Sequence, residues 1–98
     1  LNTARRESGS CGADNTSALV FGGEKPSATE VANTEEWNGV SWAETSDMNT
    51  ARNELAAAKR GTASAALGYG GQNSVPGGSL AITEEWNSPS NTVKTLTD

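Results

Sequence analysis

The chain has 98 residues, a formal net charge of −5 and a pI near 4.6, and 34% of its residues are hydrophobic. This length fits one small domain, and an acidic balance without a run of Lys or Arg argues against nucleic acid or an anionic membrane as the main partner. One cysteine and no histidine exclude an internal disulfide, a Ser-His-Asp triad and the usual zinc and copper sites.

The first half of the chain contains four short segments with the composition of β-strands. In chain order they are 6–12, which follows the NTAR sequence, ALVFGG at 18–23, TEEWN at 34–38 and SWAET at 41–45. Aromatic and β-branched residues favour strands, and the Gly-Gly pair ends the second one. Asn38-Gly39 predicts a two-residue hairpin turn of the primed type between the third and fourth strands.

The second half of the chain repeats these segments. LNTAR at 1–5 returns as MNTAR at 48–52, ALVFGG returns as ALGYGG at 66–71, and TEEWN returns at 83–87. Insertions fall between the matched blocks, as they do when surface loops grow on a shared scaffold. The sequence therefore divides into two units, 1–47 and 48–98, each with four strands. The last hairpin loop of the second unit, 88–91, is predicted to be longer than its counterpart.

One segment favours a different structure when it is taken alone. NELAAAKR at 53–60 has high helix propensity, whereas its counterpart RESGSCGA at 6–13 has none. Repeated units share a fold, so we predict a strand in both places, over 53–59 in the second unit.

The repeated residues also follow the order of a known motif. An Arg near the start of the unit, a strand ending in Gly-Gly and a Glu-x-aromatic-Asx strand occur twice, as Arg5, Gly22-Gly23 and Glu35–Asn38, then as Arg52, Gly70-Gly71 and Glu84–Asn87. With Trp42 further on, this combination resembles the kelch repeat, whose units are four-stranded blades of a β-propeller. The chain departs from the motif with Trp37 and Trp86 at the usual Tyr position and with Val93 at the position of Trp42.

This resemblance implies an all-β fold with two propeller blades, each a four-stranded antiparallel sheet. A blade buries both faces only between other blades, which agrees with the low hydrophobic content and a mean hydropathy of −0.57. Kelch-type propellers commonly close with six or seven blades. We therefore expect either a fragment of a longer propeller chain or a six-bladed ring of three copies.

The repeated glycines and tryptophans are expected to have structural roles. The Gly-Gly pairs predict positive φ angles and a close approach of the neighbouring blade. Trp37, Trp42 and Trp86 are interpreted as residues that pack between blades rather than as a platform for sugars.

The repeated charged residues are interpreted in the same way. We expect Arg5 and Arg52 to pair with a repeated glutamate, such as Glu36 or Glu85, rather than with a ligand. The adjacent carboxylates of each TEEWN segment point to opposite faces of a strand, so they cannot share one substrate. The chain is therefore predicted not to be an enzyme and to need no cofactor or metal.

The loops between the second and third strands, 24–33 and 72–81, differ in charge while the scaffold around them matches. In kelch-like propellers such loops crowd one rim and commonly contact partners, so Glu24, Lys25, Gln72 and Asn73 are our candidate ligand-binding residues. The alternative is that they are ordinary surface loops.

We therefore expect a non-enzymatic module that binds a protein or glycan surface through loops on one propeller face and also associates with other blades. The alternative is a purely structural or oligomerisation propeller without a ligand. The NTAR and TEEWN motifs are similar to repeats in virion and surface proteins of marine phages and bacteria. That similarity favours a virion or a cell surface as the setting.

Overall fold

The computed structural model describes residues 1–58, 62, 65–73, 78–87 and 92–96. All regular elements in these ranges are β-strands, which confirms the all-β prediction. The strands are β1 Gly9–Asp14, β2 Ser17–Phe21, β3 Thr34–Trp37, β4 Trp42–Thr45, β5 Ala56–Ala57, β6 Ala65–Tyr69, β7 Gln72–Asn73, β8 Gly78–Ser79, β9 Thr83–Asn87 and β10 Thr92–Leu96.

The longer strands form two antiparallel sheets with the same pairing order. β1 to β4 pair in sequence to form the first sheet, and β5, β6, β9 and β10 pair in sequence to form the second. The register also repeats, because Ala18 pairs with Trp37 in the first sheet and Ala66 pairs with Trp86 in the second. The sequence did not predict β7 and β8, a small hairpin within the connection from β6 to β9.

The first strand of each sheet begins later than the sequence predicted. β1 starts at Gly9, while Arg6 forms only an isolated bridge with Glu24; likewise Asn53 forms one with Gln72 ahead of β5. A residue with positive φ follows each bridge, Glu7 at 57° and Glu54 at 54°. Such a left-handed residue interrupts a regular strand. Residues 53–58 contain no helix, whereas Lys59 lies outside the described residues.

The predicted two-residue turn at Asn38-Gly39 is wrong. Trp37 pairs with Trp42, so four residues connect β3 to β4, and only Gly39 among them has a positive φ. The Asn38 side-chain oxygen accepts hydrogen bonds from the Val40 and Ser41 N–H groups at 2.9 and 3.0 Å. An asparagine that caps its own loop in this way stabilises the longer connection. The other predicted loop, 88–91, lies outside the described residues.

The two sheets pack against each other face to face. Cys11, Leu19 and Phe21 of the first sheet share a buried core with side chains that follow it in the chain, namely Met48, Leu55, Ala66 and Trp86. The Phe21 ring lies against backbone, since a Cβ on Gly9 or Gly68 would come within 2.6 Å of its Cε2 atom. Gly9 is the cross-strand partner of Phe21 within the first sheet, whereas Gly68 belongs to the second sheet, so the missing side chain at Gly68 lets the two sheets approach closely at Phe21.

Each sheet has two distinct sides, which we name by their residues. The Leu side carries Leu19 and Phe21 in the first sheet and Leu67 and Tyr69 in the second. The Trp side carries Glu35 and Trp37 in the first sheet and Glu84 and Trp86 in the second. Side chains alternate along a strand, and paired residues share a side, so the registers assign these sets. Leu19, Phe21 and Trp86 are buried, so the Leu side of the first sheet contacts the Trp side of the second.

The repeated glycines allow a direct test of this contact. Gly22 and Gly70 occupy the same position and have φ angles of 67° and 71°, so an alanine at either site is strained by about 1–2 kcal/mol. A Cβ on Gly22 would also lie 2.7 Å from Met48 Cε and 2.9 Å from the Arg52 carbonyl oxygen, whereas one on Gly70 meets only the Leu80 oxygen, at 3.9 Å.

We expect Gly22→Ala to lower the free energy of unfolding by about 1–3 kcal/mol more than Gly70→Ala, because overpacking adds to the backbone strain. Urea unfolding of both variants at the same low protein concentration measures this difference. Equal losses would contradict the packing of the two sheets at Gly22.

Candidate functional site

Buried charge concentrates where each NTAR segment crosses the Trp side of its sheet. Arg52 Nη1 donates to the Gly70 and Ile82 carbonyl oxygens at 2.9 and 2.7 Å, and its Nη2 donates to Glu84 Oε2 at 3.0 Å. The Glu84 carboxylate also accepts hydrogen bonds from the Asn49 and Thr50 N–H groups. Neither charged side chain is appreciably exposed.

The first unit repeats this arrangement at Arg5. Its Nη1 donates to the Gly22 and Asn33 carbonyl oxygens at 3.1 and 2.7 Å, and its Nη2 donates to Glu35 Oε2 at 2.8 Å. The Asn2 N–H donates to the other oxygen of the Glu35 carboxylate. In both units the ion pair therefore fastens the NTAR segment to the second and third strands.

The prediction that the arginines pair with a repeated glutamate is right in kind but wrong in position. The partners are Glu35 and Glu84, not Glu36 and Glu85. Glu35 pairs across the sheet with Val20, whereas Glu36 pairs with Leu19 and so lies on the Leu side. Since the NTAR segment covers the Trp side, only the first glutamate of each pair can reach the arginine.

The buried cation at Arg52 is held by matched charge. Burial lowers the pKa of the Arg52 guanidinium, and the Glu84 carboxylate opposes that shift. The pKa of an arginine side chain lies far above neutral pH, so the guanidinium group stays protonated. Its planar set of N–H donors fits one carboxylate and two carbonyl oxygens at once. The cluster therefore stabilises local structure and leaves no exposed charge for a substrate.

A second polar cluster joins the two units at the loop rim. Glu24 is buried, and its Oε1 accepts hydrogen bonds from Arg6 Nε and Nη2 of the same unit. Its Oε2 accepts one from Asn53 Nδ2 at 3.1 Å, and that amide nitrogen also donates to Glu7 Oε2 at 2.8 Å. Thus Glu24, a candidate ligand-binding residue, already bonds to both units.

The other three candidate residues lie on the same rim. Lys25 begins a tight turn in which its N–H donates to the Thr29 carbonyl oxygen at 3.0 Å. Gln72 exchanges two backbone hydrogen bonds of 3.0 Å with Asn53, and Asn73 Nδ2 donates to the Ala51 carbonyl oxygen at 3.3 Å. Glu24, Gln72 and Asn73 therefore all contact the segment that leads into the second sheet.

A solvent-open cleft of about 470 Å³ lies on this rim. One wall is formed by the β2–β3 loop and the other by the NTAR segment of the second unit; its lining residues are Ala28, Thr29, Glu30, Asn49, Thr50, Ala51 and Asn73. The sequence pointed to the loops but missed 49–51. The repetition of NTAR was the available signal for these residues.

The described residues contain no group of three or more His, Cys, Asp or Glu side chains placed to hold a metal ion. Within the same ranges, no helix has the length and apolarity that a membrane crossing requires.

No protein-family model matches the chain, and a search of curated proteins finds no significant match. The resemblance to kelch repeats therefore stays a prediction, and the functional inference depends on geometry.

The buried clusters predict that substitution of Arg52 lowers the free energy of unfolding much more than substitution of Arg6. We expect Arg52→Lys to lower the free energy of unfolding by about 2 kcal/mol, because an ammonium group keeps the charge but cannot hold two carbonyl oxygens and a carboxylate in the fixed guanidinium geometry. Arg6→Lys is the control, because the Arg6 side chain is 67% exposed. It should leave unfolding nearly unchanged in the same denaturant titration, and equal effects would contradict a structural role for the buried cluster.

Proposed function

We propose that this chain is a non-enzymatic assembly module, and that its two units are blades of a larger β-propeller completed by further copies of the chain. One observation carries the proposal. Between the two sheets a Leu side packs on a Trp side, and the two sides that face outward are again one Trp side and one Leu side. The first sheet presents its Trp side outward, and the second sheet presents its Leu side outward.

These outward sides carry apolar groups that remain partly uncovered. On the Trp side of the first sheet, the Trp37 and Trp42 rings lie 5.5 Å apart between centroids, with Ala18 and Val20 beside them, all partly exposed. On the Leu side of the second sheet, Tyr69 is 42% exposed. Burying such surface against a matching side is the main driving force for association.

The contact between the sheets also favours one type of assembly. A Leu side packs on a Trp side, so the interface is head-to-tail rather than a two-fold contact between identical patches. Head-to-tail contacts give a ring when the rotation per unit closes and an open stack when it does not. Each chain adds two units, and three copies would give the six blades that the resemblance to kelch repeats suggests.

A second function, recognition of a protein or glycan surface, is favoured by the rim cleft. Hydroxyl and amide groups line it, including those of Thr29, Thr50 and Asn73. Three copies would present three such clefts on one face, and this multivalency strengthens weak individual contacts. A glycan array with the assembled protein, repeated with Asn73→Ala, tests this function. Binding that is equal for both proteins would exclude the cleft.

The assembly is tested by the solution mass of the chain. Light scattering and native mass spectrometry should give a species near three times the 10.1 kDa of the chain. A mass of one chain at every concentration would contradict the proposal.

Gly70→Ala tests which sides meet. Gly70 would occupy the place at the new boundary that Gly22 occupies at the internal one, where a Cβ crowds the Arg52 carbonyl oxygen. We expect this variant to remain folded and its association to weaken at least about tenfold, which corresponds to 1.4 kcal/mol. Gly39→Ala is the matched control: Gly39 also has a positive φ, of 96°, but lies in the β3–β4 loop. Its association should equal that of the wild type, and unaltered association of Gly70→Ala would contradict the assigned sides.

A further inference from the structure

The internal boundary between the units contains a polar contact on the loop rim. Asn53 of the second unit donates through Nδ2 to the carboxylates of Glu7 and Glu24 in the first unit, at 2.8 and 3.1 Å. The Glu54 N–H donates to the Glu7 carbonyl oxygen at 2.9 Å beside it. One donor side chain of the following unit thus links two acceptor side chains of the preceding unit.

The same positions recur in the other unit. Arg6 corresponds to Asn53, because each forms a two-way backbone bridge, Arg6 with Glu24 and Asn53 with Gln72. Glu54 corresponds to Glu7, and both have the same unusual positive φ. Gln72 therefore corresponds to Glu24. The correspondence holds in backbone geometry as well as in sequence.

This correspondence determines which residues would meet if a second copy followed the first with the same packing. Arg6 of the adjacent copy would take the place of Asn53, facing Glu54 and Gln72 in place of Glu7 and Glu24. The two boundaries would then differ in charge. A neutral amide faces two carboxylates inside the chain, whereas a guanidinium would face one carboxylate and one amide between copies.

Arg6 has the donors and the exposure that this contact needs. Its Nε and Nη2 bond to Glu24 of its own unit, which leaves Nη1 among the five N–H donors of the group. The Arg6 side chain is 67% exposed, and Glu54 is exposed as well. The Glu24 hydrogen bond, then the charges of Glu24 and Glu7, raise the pKa of Arg6, so it stays a cation at any working pH.

We propose that Arg6 of one copy pairs with Glu54 of the adjacent copy, and that this ion pair holds the boundary between copies in register. The proposal rests on the assembly described above and names the contact that is specific to the boundary between chains. An exposed ion pair is screened by salt, so association should weaken as ionic strength rises.

Charge neutralisation in the 98-residue chain tests the pair. The midpoint concentration of assembly is measured by sedimentation in a dilution series for Arg6→Gln, Glu54→Gln and the double variant. We expect each single change to raise this midpoint about fivefold, which is the upper end of the range for an exposed ion pair. The double variant should be no weaker than the weaker single variant, because both changes remove one interaction.

Asp14→Asn is the control for net charge, since Asp14 ends β1 and its carboxylate accepts hydrogen bonds only from Thr16 of the adjoining turn among the contacts described. Its assembly midpoint should match the wild type. In high salt, the wild type and Glu54→Gln should converge. If the wild type assembles and Glu54→Gln has the same assembly midpoint, the ion pair is overturned but the proposed assembly is not. A wild type that never assembles would overturn both this pair and the proposed assembly.

Discussion

The buried pairing of Arg52 with Glu84 is the interaction on which the join between the two sheets depends. The chain leaves the first sheet at β4 and must cross the Trp side of the second sheet before it can form β5. Along this crossing its N–H groups bond to Glu84, and the guanidinium bonds to carbonyl oxygens where β6 ends and before β9 begins. A crossing segment rich in small polar residues is thus held by charge-assisted hydrogen bonds where few apolar side chains are available.

The scarcity of large apolar residues is offset by close approach. The Phe21 ring of the first sheet packs directly onto the backbone of Gly68 in the second, and Gly22 lies against the Arg52 carbonyl oxygen, so the two units approach closely at these two glycines. Close packing increases dispersion contacts for each residue buried, but it only works where the facing residue is glycine or alanine. Each sheet also keeps a second side that is not covered by the other sheet, where Trp37 and Trp42 of the first sheet and Tyr69 of the second remain partly exposed.

The rim cluster connects this scaffold to function. Glu24 lies in a loop that the sequence marks as a binding region, yet its carboxylate bonds to Arg6 and Asn53 across the unit boundary. The rim therefore has two parts. The part around Glu24 sets how consecutive units meet, while the cleft beside Thr29 and Asn73 remains open to solvent. The two proposed roles, assembly and recognition, therefore fall on neighbouring but different residues.

The sequence by itself determined the repeat and the all-β class, because these follow from local composition and from two copies that must fold alike, whereas the antiparallel order of the strands was expected from the resemblance to kelch repeats. It also predicted the positive φ angles at Gly22-Gly23 and Gly70-Gly71, which the backbone confirms. Only the tertiary structure decided that Glu35 rather than Glu36 pairs with Arg5, and that Asn38 caps a four-residue loop. For the two glutamates the physical reason is that neighbouring residues of a strand lie on opposite sides of the sheet. Which side is covered depends on where the NTAR segment folds back across the sheet, and no local pattern in the sequence encodes that long-range choice.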